Sequence, residues 1–284
     1  MPDLAASATA FQFAQGALVL LGLGLLAGWF FAPKIQPWRL AEARVPRWDA
    51  SLVDTLLAAW VAVCATLVGS LLAGSVARQL TLTAEDGWTS VVSVLGFQGA
   101  MIAALAGFAL YRRVSGRPLP VCGARPPAPL TDRLLLGAAT FCMALPFVYG
   151  ASFLSAQAME LLGLPVKLQD LANLFATTDS PPLLLALTFM AIVVAPLGEE
   201  VLFRAGCFRI ARRFLPRWLA VLLSAVAFAS LHFSAIHFVP LVVLGIVFAL
   251  AYERSGSLLV PVVAHGLFNL NSILMLLTGA GSPS

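Results

Sequence analysis

Eight long apolar runs dominate this chain, and they severely restrict the solvent in which it can fold. A helix that crosses a membrane needs about 20 largely apolar residues, and the runs reach or approach that length. Only 11% of the 284 residues are charged, whereas a soluble domain carries about 25%. We therefore predict an all-α, polytopic transmembrane helix bundle of about eight spans. The runs lie at roughly 13–32, 52–74, 91–111, 134–156, 183–203, 218–233, 238–252 and 257–278.

Basic residues indicate the orientation of these spans. Of the 17 Lys and Arg residues, all but Arg78 and Lys167 fall in loops on one side. Positively charged loops mark the cytoplasmic side, so both termini are predicted to lie outside. The Ala-, Leu- and Arg-rich composition is typical of a bacterium, and we expect an integral protein of the bacterial inner membrane. Because the net charge of +4 arises in these short loops, nucleic acid is not an expected partner.

A proline-rich stretch divides the predicted spans into two groups. Proline removes a backbone donor and clashes with the preceding helical turn, and five prolines fall between 114 and 130. We predict a cytoplasmic linker at 114–130, between N-terminal spans 1–3 at 1–113 and a core of spans 4–8 at 131–284. The sixth and seventh runs are short and only four residues separate them, so they could meet at a tight turn inside the far interface.

Polar residues inside the C-terminal spans are the candidates for function. Inserting an ionisable group into a membrane span costs about 2.5–3.5 kcal/mol on insertion scales, so such a group usually has a function. Residues four apart share one helix face, and the antiparallel fifth and sixth spans turn near 215–216. Those two facts predict that the polar groups meet at one depth, in the cytoplasmic half of the bilayer. The candidates are Glu199, Glu200, Arg204, His232, His265 and Asn269.

A carboxylate, two imidazoles and a carboxamide at one depth favour hydrolysis. Glutamate can take a proton from water, and imidazole and amide N–H groups can stabilise an oxyanion. Alternatively, Glu199, His232 and His265 could hold a divalent metal such as zinc, with a position left open for water. Simpler interpretations also remain open. Glu200 and Arg204 could form a helix-end ion pair, and His265 with Asn269 could make interhelical hydrogen bonds.

Three ordered motifs resemble those of a known family over about 180–275. They are E-E-x-x-x-R, F-x-x-x-H and H-x-x-x-N, and the first lies within an AP-x-x-EE-x-x-FR segment. The pattern is similar to the CPBP family, the CAAX-prenyl-protease and bacteriocin-processing intramembrane endopeptidases, also called abortive-infection proteins. The residues that carry it are Glu199, Glu200, Arg204, Phe228, His232, His265 and Asn269.

This resemblance implies an intramembrane endopeptidase with divided roles. Glu199 would activate water together with His232, and His265 and Asn269 would form the oxyanion site. The second glutamate and the arginine would orient the helix or the first glutamate. The family resemblance leaves a glutamic or a metal-dependent mechanism open; a neutral Asn in the fourth position favours the form without a cofactor. Expected partners are membrane lipid and a membrane-associated peptide or protein that enters from the cytoplasmic side.

Other functions remain open at this point. The chain has no H-E-x-x-H motif, the mark of a zinc protease helix. It also has no Gly-x-Gly-Asp pair and no intramembrane G-x-S-x-G motif. One alternative is a non-catalytic membrane scaffold or a bacteriocin-immunity-type protein of the same fold. Another is a proton-coupled transporter, which predicts polar residues along both halves of the membrane, whereas the outer half here is nearly bare.

Overall fold

A computed structural model describes residues 4–31, 45, 48–83, 87–117, 128–164, 174–175 and 177–280. Most of the predicted linker, at 118–127, lies outside these residues, as does Lys167, so the proposed domain boundaries stay predictions. Within the described ranges the chain forms eight helical segments. They are α1 (Leu4–Phe31), α2 (Leu52–Gln79), α3 (Trp88–Val114), α4 (Leu130–Leu161), α5 (Pro181–Phe214), α6 (Arg217–Ser230), α7 (Ala235–Ser255) and α8 (Leu259–Leu277).

The all-helical membrane bundle is confirmed, with one refinement to the number of complete spans. Seven of the described helices are long and apolar enough to cross a membrane, and α6 is a shorter apolar helix. Its 14 residues extend about 21 Å, less than the ~30 Å hydrocarbon core. The chain then reverses within four residues, with Phe233 in the left-handed region at φ 48°, and continues as α7. The tight turn predicted between the sixth and seventh runs is therefore present.

Helix α5 is longer and less regular than the apolar run at 183–203 predicts. It continues to Phe214, and two wider π-helical stretches, Met190–Val194 and Val201–Phe208, flank the α-helical piece Ala195–Glu200. Such π-helical turns occur frequently at functional sites. The basic extension past the apolar run is held by the segment before α2: the Arg209 guanidinium lies 5.5 Å from the Trp48 ring, and Arg213 donates to the Ala50 carbonyl.

Two sets of helices surround α5. On one side α1, α4, α7 and α8 share a buried apolar cluster that includes Leu145, Phe248 and Ala264. On the other side α2 and α3 pack against each other so closely that a Cβ on Gly69 would lie 2.3 Å from the Gly96 carbonyl oxygen. Helix α3 in turn packs on the middle of α5. The central part of α5 is thus enclosed by helices from both halves of the chain.

Candidate active site

The middle of α5, the α6–α7 turn and α8 bring the predicted polar residues together. The Glu199 carboxylate faces both imidazoles: its Oε2 lies 4.0 Å from His232 Nε2 and 3.9 Å from His265 Nε2. These distances exceed the 2.7–3.2 Å of a hydrogen bond, so the three atoms converge without touching. The Glu199 and His232 side chains are about one-fifth to one-quarter exposed, whereas His265 is buried. The cluster therefore opens on the side of Glu199 and His232.

Behind this cluster, Glu200 and Arg204 form a fully buried ion pair. Arg204 Nε lies 3.0 Å from Glu200 Oε2, and both side chains are inaccessible to solvent. Neither atom makes an aligned hydrogen bond, so charge attraction is the main term that joins them. The guanidinium is also surrounded by the rings of Phe203, Phe228 and Phe248, at 5.9, 4.8 and 5.4 Å. Cation–π contacts in a desolvated setting contribute up to about 2 kcal/mol each.

Hydrogen bonds at Nδ1 fix the orientation of both imidazoles. His232 Nδ1 lies 2.9 Å from the Phe228 carbonyl oxygen, and His265 Nδ1 lies 3.0 Å from Glu200 Oε1. A carbonyl and a carboxylate only accept hydrogen bonds, so both Nδ1 atoms carry the proton. In the neutral rings each Nε2 therefore presents its lone pair, and both lone pairs face Glu199.

Glu199 Oε2 is itself buried and makes no hydrogen bond to protein. The site thus collects three acceptor atoms with no donor of its own between them. Two acceptors that bind the same water molecule lie about 4.4 Å apart, because each bond is about 2.8 Å long and the two hydrogens diverge by about 105°. The measured separations of 3.9 and 4.0 Å are a few tenths of an ångström shorter. A water molecule that donates to the carboxylate and to an imidazole would satisfy Glu199 Oε2.

Two histidines and one glutamate are also a donor set that zinc takes. Ligands at zinc's bond lengths of about 2.0–2.2 Å lie about 3.3–3.6 Å apart in a tetrahedral site, and Glu199 Oε2 lies farther than that from both imidazole nitrogens. The described residues contain no group of three His, Cys, Asp or Glu placed to hold one ion. We derive no step through a metal.

Asn269 lies on α8 one turn after His265, but it bonds to the backbone of α5. Its Nδ2 donates to the Ala191 carbonyl at 2.7 Å, in the first π-helical stretch. Ala195 N–H bonds to the Met190 carbonyl instead, and Pro196 has no N–H to offer. The carboxamide therefore supplies a donor that the proline removes. One Nδ2 hydrogen is committed to this bond, and the group carries two.

Comparisons with known proteins bear on this site. A model of the family described as type II CAAX prenyl endopeptidase Rce1-like matches residues 181–271. An Escherichia coli protein described as "Uncharacterized 24.3 kDa protein" is 31% identical over 167 residues, which span 57% of this chain and 70% of the relative. The chain belongs to the Rce1-like family of type II CAAX prenyl endopeptidases. No solved structure matches it.

Membership in the Rce1-like family confirms the CPBP resemblance and supports an integral membrane protein of the CAAX-protease type. The matched range begins with the start of α5 and ends within α8, so it includes every predicted site residue. Two groups near the site were missed by sequence reasoning. Phe248 looks like an ordinary lipid-facing or core residue in an apolar chain. Gln98 of α3 is not ionisable, and only its burial beside Gly198 distinguishes it.

Gly266, next to His265, sets how closely α8 can approach the Rce1-like site on α5. A Cβ at this position would lie 2.4 Å from the Ile192 carbonyl oxygen, a backbone atom that cannot turn aside. Gly266→Ala is expected to push the two helices apart, to destabilise the fold by about 1–3 kcal/mol and to lower activity. Thermal unfolding in detergent measures the first effect. Gly150→Ala, where a Cβ meets nothing within 4 Å, is the control; it should unfold at the wild-type midpoint or slightly above it, because alanine favours a helix interior over glycine.

Proposed function

We propose that this chain hydrolyses peptide bonds in membrane-associated peptides or proteins, with a water molecule activated by Glu199 as the nucleophile. The observation that carries the proposal is the Glu199 carboxylate oxygen, buried without a hydrogen-bond partner and about 4 Å from two Nε2 atoms. A carboxylate in a site of low dielectric is a competent general base when it lies within hydrogen-bond reach of the water it deprotonates. A CAAX-type protease family supplies the reaction class.

The hydrolytic step follows from this placement. A single water molecule donates one hydrogen bond to Glu199 Oε2 and a second one to His232 Nε2. Glu199 takes the first proton as the water oxygen bonds to the carbonyl carbon of the scissile peptide. The C–N bond then breaks, and the proton held by Glu199 passes to the leaving nitrogen. The products are one new carboxyl group and one new amine, and Glu199 returns to its charged state.

The buried pair behind the site gives His265 a distinct role. Its Nδ1–H is held by Glu200, an arrangement that fixes the tautomer of an imidazole and stabilises positive charge on its ring. When the ring has also taken a proton from solvent at Nε2 before the substrate binds, it can donate that N–H to the oxyanion that develops on the attacked carbonyl, and it keeps the proton when the oxyanion collapses. The second hydrogen of Asn269 Nδ2 would add to it. A single such donor contributes about 10²–10³-fold to the rate in enzymes where it has been removed.

The orientation and the route of the substrate are also proposals. Arg212 and Arg217 pair with the nearly buried Glu253 at the end of α7, which gathers basic residues at the end of the bundle where α8 begins. His265 lies six residues after Leu259, about 9 Å along α8. If the basic end faces the cytoplasm, the site lies in the cytoplasmic half of the bilayer. Substrates would then reach it from that side, at a bacterial inner membrane.

A polar group in the core outside this site does not favour transport. Gln15 of α1, Tyr149 of α4 and Asn271 of α8 form a closed ring in which each side chain donates to the next. Such a ring satisfies itself and joins three helices. Its three side chains already bond to one another and carry no ionisable carboxylate or imidazole, so we favour hydrolysis over a proton-coupled transporter.

Cleavage of a quenched fluorescent peptide library by the purified protein in proteoliposomes tests the proposed function. The expected result is cleavage that persists when bound metal has been removed by chelation, because the proposed step uses the carboxylate and the imidazoles alone. Metal analysis of the same sample reports any ion that copurifies. Loss of activity in chelator, with recovery on addition of zinc, would contradict the metal-free mechanism. Failure of the wild type to cleave any peptide would favour the scaffold alternative.

A further inference from the structure

Gln98 places a polar side chain of α3 against α5, next to the proposed base. It is 6% exposed, and its carboxamide lies over Gly198, the residue before Glu199. A Cβ on Gly198 would lie 2.1 Å from Gln98 Oε1 and 3.0 Å from its Cδ. Any residue other than glycine would therefore displace this side chain. The position of Gln98 and the glycine opposite it depend on each other.

Both residues are unfavourable for the fold where they stand. Gln98 Oε1 is buried and has no hydrogen-bond partner, and a buried acceptor left unpaired destabilises a protein interior. Glycine within a helix is also less favourable than alanine. A weak Cα–H···O contact would not offset these two terms. Gln98 and Gly198 are thus both unfavourable for stability and lie next to the proposed base. This combination indicates a functional role for Gln98 rather than a role in packing.

We propose that Gln98 binds the backbone of the substrate, its Oε1 accepting an N–H from the peptide beside the scissile bond. This inference rests on the proposed function. An extended peptide presents backbone N–H groups that gain affinity from acceptors on the protein. The two hydrogens of the nucleophilic water are already assigned to Glu199 and His232. A substrate N–H would then be the donor that satisfies the carboxamide oxygen.

The assignment gives α3 a part in the reaction. The family model matches residues 181–271, so Gln98 lies outside the range that it matches. Helix α3 packs on the α5 segment that carries Glu199. Substrate selection would therefore depend on a helix from the N-terminal half of the chain as well as on the matched core.

The test compares the wild type with Gln98→Met, which keeps the length of the side chain and removes the carbonyl. The probe is the library peptide that the wild type cleaves fastest. We expect kcat/KM to fall about five- to tenfold, the value of one hydrogen bond of about 1 kcal/mol, mainly through KM. The unfolding midpoint should stay the same or rise, because the orphaned oxygen is gone. Met101→Leu, whose methyl group also touches Gly198, is the matched control and should match the wild type in both measurements.

Ester substitution in the probe identifies the hydrogen bond itself. Replacing one backbone amide at a time removes a single N–H, and one position near the scissile bond should slow the wild type but not Gln98→Met. Equal penalties in both proteins, or a Gln98→Met variant as active as the wild type, would overturn the inference while leaving the proposed function standing. A lower unfolding midpoint with unchanged activity would identify Gln98 as a packing residue. A wild type that cleaves no peptide would overturn both proposals.

Discussion

The Glu199→Gln variant is expected to cleave peptides about 10²- to 10⁴-fold more slowly than the wild type, the range that a positioned general base contributes. Glutamine keeps the size and polarity of the side chain but cannot take a proton from water. Glu199 Oε2 has no hydrogen bond to lose, so the unfolding midpoint should hardly change. The measurement is kcat/KM on one cleaved peptide, together with thermal unfolding of the same preparation.

A matched control separates loss of the base from loss of charge in general. Glu160, an exposed residue in the last turn of α4, undergoes the same chemical change in Glu160→Gln and should retain full activity. Glu199→Gln activity above half that of the wild type would show that another group activates the nucleophile. A fold change confined to KM would point to substrate binding instead of proton transfer.

The Arg204→Met variant is expected to lose about 3–5 kcal/mol of stability, the effect of leaving one partner of a buried ion pair alone. Removing the guanidinium strands Glu200 with no exposure to solvent and also empties the space between three aromatic rings. Denaturant or thermal unfolding in detergent measures the change. Arg212→Met is the control for loss of a less buried ion pair. Arg212 lies 3.6 Å from Glu253 and is about one-third exposed, so this substitution should lower the free energy of unfolding by about 1 kcal/mol or less.

A double variant identifies the cause of that instability. Glu200→Gln combined with Arg204→Met removes both charges of this buried pair, and we expect it to recover part of the stability that Arg204→Met loses, since contacting residues do not act additively. It should remain poorly active, because His265 no longer has a carboxylate at Nδ1. Equal stability for Arg204→Met and Arg212→Met would contradict the role assigned to the buried pair.

Much of the bundle could be predicted because the signals are local. An apolar run of sufficient length is a helix in a membrane, and the antiparallel turn near Pro216 brings Glu199 and His232 to one depth by counting residues. The pairing of Glu200 with Arg204 follows from their spacing on one helix face. Those predictions agree with the distances observed, although the catalytic roles of the same residues stay predictions.

What could not be predicted depends on contacts between residues far apart in the chain. The length of α5 depends on Trp48 and Ala50, which hold its basic end after the apolar run has stopped. The bond from Asn269 to Ala191 requires a π-helical turn and a proline with no donor. Apolar periodicity in a chain that is 60% hydrophobic cannot distinguish lipid-facing phenylalanines from those that enclose Arg204. It also cannot place α3 against the site.

Hydrolysis in H₂¹⁸O followed by mass spectrometry tests the central claim most directly. Wild type and Glu199→Gln, each in proteoliposomes, are given the same peptide for the same time. If Glu199 activates a water nucleophile, the wild type yields two fragments with one ¹⁸O in the new carboxyl group, and the variant yields almost none. Labelled fragments formed by Glu199→Gln at the wild-type rate would contradict the account.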